Sequence, residues 1–574
     1  MDKISKKNQM ITKKIEKLKK NFYLYGIDGY VIPKNDEFFS EYAQKNRLKL
    51  ISNFTGSAGY AVILKKKNYL FVDGRYTIQA EIEAGKNFKI VDYQKIINCN
   101  LFKNITLGID PKLFTSKQIK NFFYKNNKIK KINTNLIDIL SNKFKPKFKS
   151  FFSLKNEIVG ETHVSKIKKV SSFLKKNQSD YLFVSAPENV AWLLNIRGFD
   201  NPNSPIPNCR ALIDRKKKIY LIAEHKKTKR IIKDKRIKKS RVIEPKNFEK
   251  FINKFKKGKI IIDSNSCSIF YEKLLKKRFE ISKIQDPIYL LKSIKNKKEI
   301  NNMIKSHILD GVALTKFLYW IKKINKKNIT EYDAQKKLEI FRKKNNNYLF
   351  PSFNTIAGTG KNGAIVHYRA TKKNTRKINK KDIFLCDSGG QYKYGTTDVT
   401  RTICFSKPKK SIKNIFTRVL KGHIAVAEAN LDKYFNGKLV DILARKYLKQ
   451  IGLNYSHGTG HGVGFFLNVH EGPHAISKFN KIRFKEGMVV SNEPGYYKKN
   501  KFGIRIENLI YVKRLKKKLS FENLTLAPIE KELINFKLLT KIEKDYLFNY
   551  NLNVYSKISK FLKRDEKKWL ASFI

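Results

Sequence analysis

Histidines and carboxylates concentrate in the C-terminal half of the 574-residue chain, where six of its nine histidines lie between His367 and His474. In that region, the segment IFLCDSGGQYKYGTTDVTRTICF places Asp387 at the end of one apolar run and Asp398 just before another. The Gly-rich stretch between them predicts a β-hairpin with one carboxylate on each arm. Two carboxylates held this close repel each other, so one is protonated or a cation lies between them. Two ordinary turn or capping aspartates are the alternative.

A second segment, SHGTGHGVGFFLNVHEGPH, carries four further histidines, three of them within fourteen residues. His457 and His461 are four residues apart, but the glycines between them argue against a helix and favour a loop that can approach a ligand closely. His470 follows on an apolar run that predicts a strand. A lone histidine in such a position is usually structural, whereas three in so short and Gly-rich a stretch favour a site.

A third segment, GMVVSNEPGYYKKNKFGIRIENL, repeats the arrangement of the aspartate pair. Glu493 ends an apolar run, Glu507 lies within another, and the turn between them predicts a second hairpin. Arg505 is two residues before Glu507, so a regular strand would direct both side chains to one face.

Taken together, these segments supply four carboxylates and at least one imidazole on strands. This oxygen-rich set suits Mn²⁺, Co²⁺, Fe²⁺ or Zn²⁺ in a site of two metals bridged by carboxylates. Such a site can lower the pKa of a water molecule and direct it at a carbonyl carbon. No thiolate is required.

The sequence motifs in these segments resemble those of a known family. The ordered set formed by the two aspartates, His461 and the two glutamates is similar to the ligands of the pita-bread metallopeptidases, which include methionine aminopeptidases, prolidases and aminopeptidase P. NTIAGTGKNGAIVHYRAT, HGTGHGVG, NVHEGP and EPGYYKKNKFGIRIEN, with an early DGRY motif, resemble the three-domain Xaa-Pro aminopeptidases. The resemblance extends from about residue 20 to about residue 530 and shows no departure at a ligand position.

This resemblance implies a role for each ligand. Asp387 would bind one metal, His461 and Glu493 the other, and Asp398 and Glu507 would bridge both. Water held at the two metals would attack the carbonyl before proline, with Glu493 acting as general base and then as acid. Mn²⁺ is the expected metal, with Zn²⁺, Co²⁺ and Fe²⁺ as alternatives.

The resemblance also implies residues that contact the substrate. His367 and His470 would bind it and stabilise the developing oxyanion, and His457 would lie near the proline side. Arg505 would support the ligands through hydrogen bonds and charge. The substrate would be a peptide with a free N-terminus and proline second.

Three features of the N-terminal part have less specific interpretations. Arg75 of the DGRY motif would reach a substrate in a neighbouring subunit, and a buried ion pair with Asp73 is an equal alternative. Trp192 and the loop 197–205 would help to close the mouth of the site, although ordinary packing is the preferred interpretation for Trp192.

The elements before the histidine-rich region suggest a duplication. Residues 13–25 predict a helix, DGYVIP a strand, and residues 37–46 a second helix. The helix VSKIKKVSSFLKKN, the strand SDYLFVSA and the helix PENVAWLLNIRG repeat this order.

These patterns predict an α/β protein with two creatinase-N-like α/β domains followed by an α+β pita-bread catalytic domain. The expected domains are residues 1–148, 149–296 and 297–574, the last with a C-terminal extension from about 530 to 574. The Lys- and Phe-rich stretch SNKFKPKFKSFFS is a candidate linker between the first two.

The formal net charge of +75 would suit a nucleic-acid partner. However, the charge is spread along the whole chain, and Lys, Asn, Ile and Phe, all with A/T-rich codons, are plentiful. Genome composition therefore explains it, and we expect no specific nucleic-acid binding.

The cysteine pattern and the lack of targeting signals in the sequence indicate the cellular compartment. The five scattered cysteines without a CxxC pair indicate reduced thiols, and we expect Cys386 and Cys404 to be buried. The chain has neither a secretory signal nor an apolar run long enough to span a membrane. We expect a cytoplasmic protein without a membrane partner and, by resemblance alone, a homodimer.

Two other functions stay open. A prolidase would cut only Xaa-Pro dipeptides, although chain length and the N-terminal duplication favour the enzyme for longer peptides. A pita-bread module that has lost its metals would bind protein or nucleic acid instead, but such modules usually lose ligands, and all five are present here.

Overall fold

The computed structural model describes residues 3–96, 101–123, 127–140, 149–324 and 329–574. The chain divides into two compact units, one formed by residues 1–156 and 161–288, the other by residues 157–160 and 289–574. None of the helices in the described ranges is long and apolar enough to cross a membrane.

The first half of unit one is an α/β layer. Its first helix exists because Ile11, Ile15, Leu18 and Phe22, spaced by four, three and four residues, bury one face against the sheet. The elements in chain order are α1 (Lys3–Leu24), β1 (Gly29–Pro33), α2 (Arg47–Ser52), β2 (Tyr60–Leu64), β3 (Asn68–Val72), α3 (Thr77–Ala84), β4 (Lys89–Asp92), β5 (Ile105–Ile109), α4 (Ser116–Phe122), β6 (Asn127–Lys131) and α5 (Leu136–Ile139).

The second half of unit one has the same kind of layer. Its elements are β7 (Phe152–Ser153), α6 (Asn156–Val159), α7 (His163–Lys176), β8 (Tyr181–Val184), α8 (Pro187–Leu193), β9 (Ile196–Arg197), β10 (Arg210–Asp214), β11 (Ile219–Ile222), α9 (His225–Lys233), β12 (Val242–Ile243), α10 (Phe248–Ile252), β13 (Lys259–Ile262), α11 (Ile269–Lys276), β14 (Glu280–Lys283) and α12 (Ile288–Ser293). Helices α6 and α12 lie where the chain passes between the units.

The two six-stranded sheets of unit one confirm the predicted duplication. Their strand orders are β4-β3-β2-β1-β5-β6 and β12-β11-β10-β8-β13-β14. In each sheet the central strand pairs antiparallel with one neighbour and parallel with the other, and the outer pairs match as well. Each half thus contributes one six-stranded mixed sheet of the same topology.

The predicted helix over residues 37–46 is wrong. The Asp36 carboxylate accepts hydrogen bonds from the backbone N–H groups of Phe38 and Ser40, and Phe39 has a φ of 58°, so this segment is a turn. The helix starts later, at α2, where the Asn46 side chain caps the N–H of Lys49.

In the residues that the structure describes, unit two combines four sheets with long helices. Its elements are α13 (Lys297–Lys323), α14 (Glu331–Lys343), β15 (Tyr348–Pro351), β16 (Ile356–Thr359), β17 (Phe384–Ser388), β18 (Gly390–Tyr392), β19 (Gly395–Thr396), β20 (Val399–Ile403), α15 (Lys410–Ala427), α16 (Gly437–Lys449), β21 (Gly460–Gly462), β22 (Glu471–Ile476), β23 (Val489–Asn492), β24 (Gly495–Lys498), β25 (Phe502–Arg505), β26 (Asn508–Leu515), β27 (Lys518–Asn523), α17 (Lys541–Ile558) and α18 (Arg564–Ala571).

The sheets of unit two place the acidic and histidine segments together. Their orders are β15-β18-β19, β16-β17-β20, β22-β21-β23-β26-β27 and β24-β25. An isolated bridge between Thr400 and Glu507 connects the sheet of β20 to the segment before β26. Strands that are far apart in sequence therefore meet at one point.

The described cysteines are free and buried, as expected for Cys386 and Cys404. Cys99 and most of the candidate linker, residues 141–148, lie outside the described residues.

Candidate metal centre

The five predicted ligands occupy strands or strand ends of unit two. Asp387 lies on β17, and Asp398 directly precedes β20, the antiparallel partner of β17. His461 is the middle residue of β21. Glu493 directly follows β23, and Glu507 directly precedes β26, which pairs antiparallel with β23.

Both predicted pairs of antiparallel strands are present, but each connection is longer than a turn and carries a further pair of strands, β18–β19 in the first and β24–β25 in the second. In the second strand pair, Asn492 of β23 pairs with Asn508 of β26. Glu493 follows Asn492 and Glu507 precedes Asn508, so both carboxylates lie at the same end of this strand pair. Glu507 does not lie within a strand. It occupies the break after Ile506, between β25 and β26, where its bridge to Thr400 replaces the regular ladder. This break turns its side chain toward the aspartates.

The ligand atoms of four of the five residues converge, and the carboxylate of Asp387 is near enough to repel that of Asp398. His461 Nε2 lies 3.4 Å from Asp398 Oδ2 and 3.5 Å from Glu493 Oε1. Asp398, His461 and Glu507 each offer a ligand atom, and these atoms lie within 4.8 Å of one another. The fold therefore holds carboxylates that would repel each other, together with an imidazole, at a spacing that suits a shared cation.

Two carboxylate oxygens show that a cation fits this site. Asp387 Oδ1 and Asp398 Oδ1 are buried, and neither accepts a hydrogen bond from any described residue. A buried carboxylate oxygen without a donor is costly. A divalent ion would satisfy both oxygens, so the donor set fits a metal centre.

The electrostatics of the site point the same way. Burial, and then repulsion from Asp387 and Glu493, raises the pKa of Asp398 well above its usual range. Burial, and then repulsion from Asp398 and Glu493, does the same to the pKa of Glu507. Without a cation these two side chains keep their protons to a higher pH than ordinary carboxyl groups do, and metal binding would displace such protons.

His461 is oriented for coordination through one nitrogen. Its Nδ1 donates to the Gly462 carbonyl oxygen at 3.0 Å, which leaves the lone pair of Nε2 facing the carboxylates. The backbone N–H of His461 donates to Ser491 Oγ at 2.9 Å, and that hydroxyl donates to Glu493 Oε1 at 3.1 Å. Backbone and hydroxyl groups therefore fix both the tautomer and the ring.

Arg505 holds Asp387 in place. Its guanidinium is buried and donates from Nη2 to Asp387 Oδ2 at 2.5 Å and from Nε to Thr400 Oγ1 at 3.0 Å. The Thr400 hydroxyl donates to Glu507 Oε2 at 2.7 Å. The predicted supporting role of Arg505 thus has a geometric basis, because it orients one carboxylate directly and a second through Thr400.

Tyr497, which sequence reasoning missed, connects Arg505 to His457. Its hydroxyl accepts from Arg505 Nη1 at 2.6 Å and donates to His457 Nε2 at 2.9 Å. His457 Nδ1 donates to the Gly458 carbonyl oxygen, so Nε2 is the acceptor. Burial raises the pKa of Tyr497 to about 12, which keeps the hydroxyl neutral. The tyrosine pair in EPGYY was the available signal, but its partners are distant in sequence.

The structure brings His470 and the segment of His367 to the same site. The His470 ring meets the His461 ring edge-on, with centroids 4.3 Å apart. His470 lies in a bend directly before β22, so its predicted position on a strand is wrong. The carbonyl of Val366, next to His367, accepts from Arg505 Nη2 at 3.4 Å.

Arg401 is a second residue that the sequence did not reveal. It is buried and donates to the carbonyl oxygen of Glu507 at 2.7 Å and to the side chain of Asn508 at 2.8 Å. It also donates to the carbonyl of Ala527 and to the hydroxyl of Tyr550 on α17. One guanidinium therefore ties the C-terminal extension to the backbone of a predicted ligand.

Arg75 and Trp192 belong to unit one. Arg75 forms a two-point ion pair with Asp73, at 2.9 Å from Nε and 2.8 Å from Nη2, and each side chain is 33% exposed. The pairing alternative is thus present, although not buried, and the substrate role of Arg75 stays a prediction. Trp192 is buried, and Lys166 lies over its ring, as packing predicts. Arg197, which opens the loop 197–205, is likewise buried.

Comparison with known families agrees with this architecture. A family described as metallopeptidase family M24 matches residues 301–514, and its C-terminal region matches residues 517–572. Two models of the creatinase/prolidase N-terminal domain match residues 14–136 and 142–299.

Relatives that match over nearly the whole chain are named as Xaa-Pro aminopeptidases. The chain is 36% identical to a probable Xaa-Pro aminopeptidase P of Laccaria bicolor, covering 97% of this chain and 92% of the relative. It is also 36% identical to Xaa-Pro aminopeptidase 1 of Dictyostelium discoideum, covering 98% and 96%.

Solved structures show the same likeness. The X-prolyl aminopeptidase of Caenorhabditis elegans, described as a cytosolic enzyme with a di-nuclear active site, matches with a TM-score of 0.89 and 29% identity over 98% of this chain and 99% of its own. A prolidase from Pyrococcus horikoshii matches with a TM-score of 0.52 and 27% identity, covering 64% of this chain and all of its own. The chain therefore belongs to metallopeptidase family M24 and, within it, to the Xaa-Pro aminopeptidases with two creatinase-type N-terminal domains.

Proposed function

We propose that this protein is a metal-dependent exopeptidase that releases the first residue of peptides whose second residue is proline. The observation that carries the proposal is the convergence of four buried or half-buried carboxylates and His461 in a chain that matches Xaa-Pro aminopeptidases over nearly its whole length. The intact ligand set disfavours a binding module that has lost its metals.

The donor set suits two divalent ions, and we propose Mn²⁺ as the first choice, ahead of Zn²⁺, Co²⁺ and Fe²⁺. Asp387 would hold one ion, His461 and Glu493 the other, and Asp398 and Glu507 both. When bound, the ions would supply an activated water molecule and polarise the scissile carbonyl.

Glu493 is the proposed proton carrier. Its side chain is 18% exposed, compared with 10% for Asp387 and 5% for Asp398, so it is the most accessible of these three carboxylates. Its Oε1 accepts from Ser491 Oγ. The carboxylate would take a proton from water and deliver it to the proline nitrogen, which must be protonated to leave as an amine.

The three histidines are the proposed substrate contacts. The His470 ring contacts the ring of His461, and the His457 ring is held by its hydrogen bond with Tyr497. Hydrogen bonds from His367 and His470 to the scissile carbonyl oxygen would stabilise the negative charge that develops there. His457 would contact the proline side.

The preference for proline is chemically demanding. The proline nitrogen carries no N–H, so an enzyme cannot hold that group by hydrogen bonding and needs a dedicated pocket. Prolidases share the catalytic unit, but the Pyrococcus horikoshii structure matches only 64% of this chain. The additional creatinase-type domain supports the enzyme for longer peptides.

The organisation and setting of the enzyme are also proposals. We place the domains at residues 1–148, 149–296 and 297–574, supported by one six-stranded sheet in each of the first two. A cytoplasmic homodimer is the proposed state, in line with the cytosolic description of the Caenorhabditis elegans enzyme. Peptides rather than nucleic acid are the proposed partners.

Peptide hydrolysis tests the proposal. Release of arginine from Arg-Pro-Pro, but not from Arg-Ala-Ala, is the expected result. Glu493→Gln should abolish it. Glu486→Gln, which changes an exposed carboxylate paired with Arg514, should not. Cleavage confined to the dipeptide Arg-Pro would instead show a prolidase.

A further inference from the structure

Glu331, the first residue of α14, is a buried carboxylate outside the ligand set. Its side chain lies in the interior, and within the described ranges no lysine or arginine forms an ion pair with it. A buried charge without a counter-ion must be stabilised by other means. The position at the N-terminus of α14, where the helix dipole is positive, supplies part of that stabilisation.

Hydrogen bonds from a single segment supply the rest. Oε1 accepts from the backbone N–H of Thr359 at 2.8 Å and from Asn362 Nδ2 at 3.0 Å. Oε2 accepts from Asn362 Nδ2 at 3.0 Å, from the Tyr368 hydroxyl at 2.8 Å and from the backbone N–H of Arg376 at 2.8 Å. All these donors belong to residues 359–376, so one carboxylate binds both ends of this segment and two residues between them.

This segment carries His367. The residue before it, Val366, has its carbonyl within hydrogen-bond distance of Arg505, the arginine that orients Asp387. The segment 359–376 is therefore attached to Glu331 and, through the Val366 carbonyl, to Arg505 at the candidate metal centre. His367 lies between these two attachments.

We infer that Glu331 is a positioning residue for the reaction, because its carboxylate anchors the segment 359–376 and thereby sets His367 against the substrate. The inference rests on the proposed function. It is distinct from ligand binding, since Glu331 contacts none of the five ligands.

The variant Glu331→Gln tests the anchor with an almost unchanged side-chain shape. An amide offers one acceptor oxygen and one NH₂ group, so in either orientation the NH₂ faces N–H or O–H donors. The anchoring hydrogen bonds on that side are lost. Tyr368→Phe removes one donor only and serves as the milder variant, should Glu331→Gln fold poorly.

Glu339→Gln is the matched control. Glu339 lies on the same helix and also accepts from a tyrosine hydroxyl, that of Tyr348, at 2.6 Å. It has no contact with the segment 359–376 in the described hydrogen bonds.

Two readouts are measured on the metal-loaded full-length protein. For Glu331→Gln we expect a fall in kcat for Arg-Pro-Pro of about 10- to 100-fold, the usual effect of misplacing a catalytic contact, with KM little changed. We expect hydrogen–deuterium exchange to rise at least about tenfold at the amide of Thr359 or of Arg376, whichever faces the new NH₂ group, because that amide loses a hydrogen bond to a charged group. Tyr368→Phe should show both effects more weakly.

The outcomes are separable. Unchanged exchange in Glu331→Gln, or a kcat loss as large in Glu339→Gln, would overturn the positioning role. Faster exchange with wild-type kcat would overturn it as well, because the segment would then move without consequence. A wild-type protein that cleaves no Xaa-Pro peptide would contradict the proposed function, while the exchange measurement would still decide whether Glu331 anchors the segment.

Discussion

Glu471, the residue after His470, is the site of the most quantitative prediction. Its side chain is 1% exposed and contacts two equally buried lysines, Lys292 Nζ at 3.0 Å from Oε2 and Lys295 Nζ at 2.6 Å from Oε1. Glu471→Gln would leave these two ammonium groups facing a neutral amide. The variant therefore tests how far this buried triad stabilises the segment that carries His470.

The pKa of Glu471 gives the magnitude. The two lysines lower it, against the opposing effect of burial, from its usual 4.5 to about 2. That shift corresponds to roughly 3 kcal/mol in favour of the charged folded form. Burial lowers the pKa of Lys295, which offsets part of this gain. Because removing one partner of a buried pair costs about 3–5 kcal/mol, we expect the lower end, about 3 kcal/mol.

The sign of the pH dependence follows from the lowered pKa. A carboxylate whose pKa is lower in the folded state contributes stability that is complete above its unfolded pKa, near 4.5, and is lost as pH falls through about 2. The difference in unfolding free energy between wild type and Glu471→Gln should therefore shrink to roughly half or less near pH 3.

Urea unfolding of the metal-free protein at neutral pH and near pH 3 measures both effects. Glu486→Gln, at a carboxylate that is 56% exposed, is the control and should be close to neutral. A loss below about 1 kcal/mol for Glu471→Gln at neutral pH, or a difference that grows on acidification, would refute the reasoning.

Three further predictions concern the metal centre. Tyr497→Phe should lower kcat about 10- to 100-fold in steady-state kinetics while leaving metal stoichiometry unchanged, since it breaks a supporting hydrogen-bond chain and removes no ligand; wild-type kcat would contradict this. Because the pKa values of Asp398 and Glu507 are raised in the metal-free fold, metal binding should release protons and strengthen as pH rises, and calorimetry in two buffers of different ionisation enthalpy should detect this release. Arg401→Lys should weaken metal binding about tenfold by calorimetry, because an ammonium group cannot replace the fork between the Glu507 carbonyl and the Tyr550 hydroxyl; unchanged affinity would argue against this link to the C-terminal extension.

Sequence reasoning could single out the five candidate ligands, whose role as ligands stays a prediction, because the patterns that mark them are local. Asp387 and Asp398 lie at two antiparallel strands, β17 and β20, that pair with each other and are close together in sequence. Glu493 and Glu507 likewise adjoin two antiparallel strands, β23 and β26, that are close together in sequence. The duplicated sheets were predictable for a similar reason, since each repeats one order of helix, strand and turn.

Residues that support the ligands were not predictable, because their partners lie far away in sequence. Glu331 and Arg376 are 45 residues apart, and Arg401 and Tyr550 are 149 apart. No periodicity or motif connects such positions. The wrong helix over 37–46 has a local cause instead, an Asp36 side chain that stabilises a turn by bonding to backbone N–H groups.

The most direct test of the central claim is a metal titration of the stripped protein. Mn²⁺ would be added to the metal-free protein while arginine release from Arg-Pro-Pro and bound metal are followed together, with Glu493→Ala as the control. The account predicts that activity reaches its maximum when two ions are bound per chain and that the variant stays inactive. A folded protein that releases no arginine with Mn²⁺, Co²⁺, Zn²⁺ or Fe²⁺ would contradict the account.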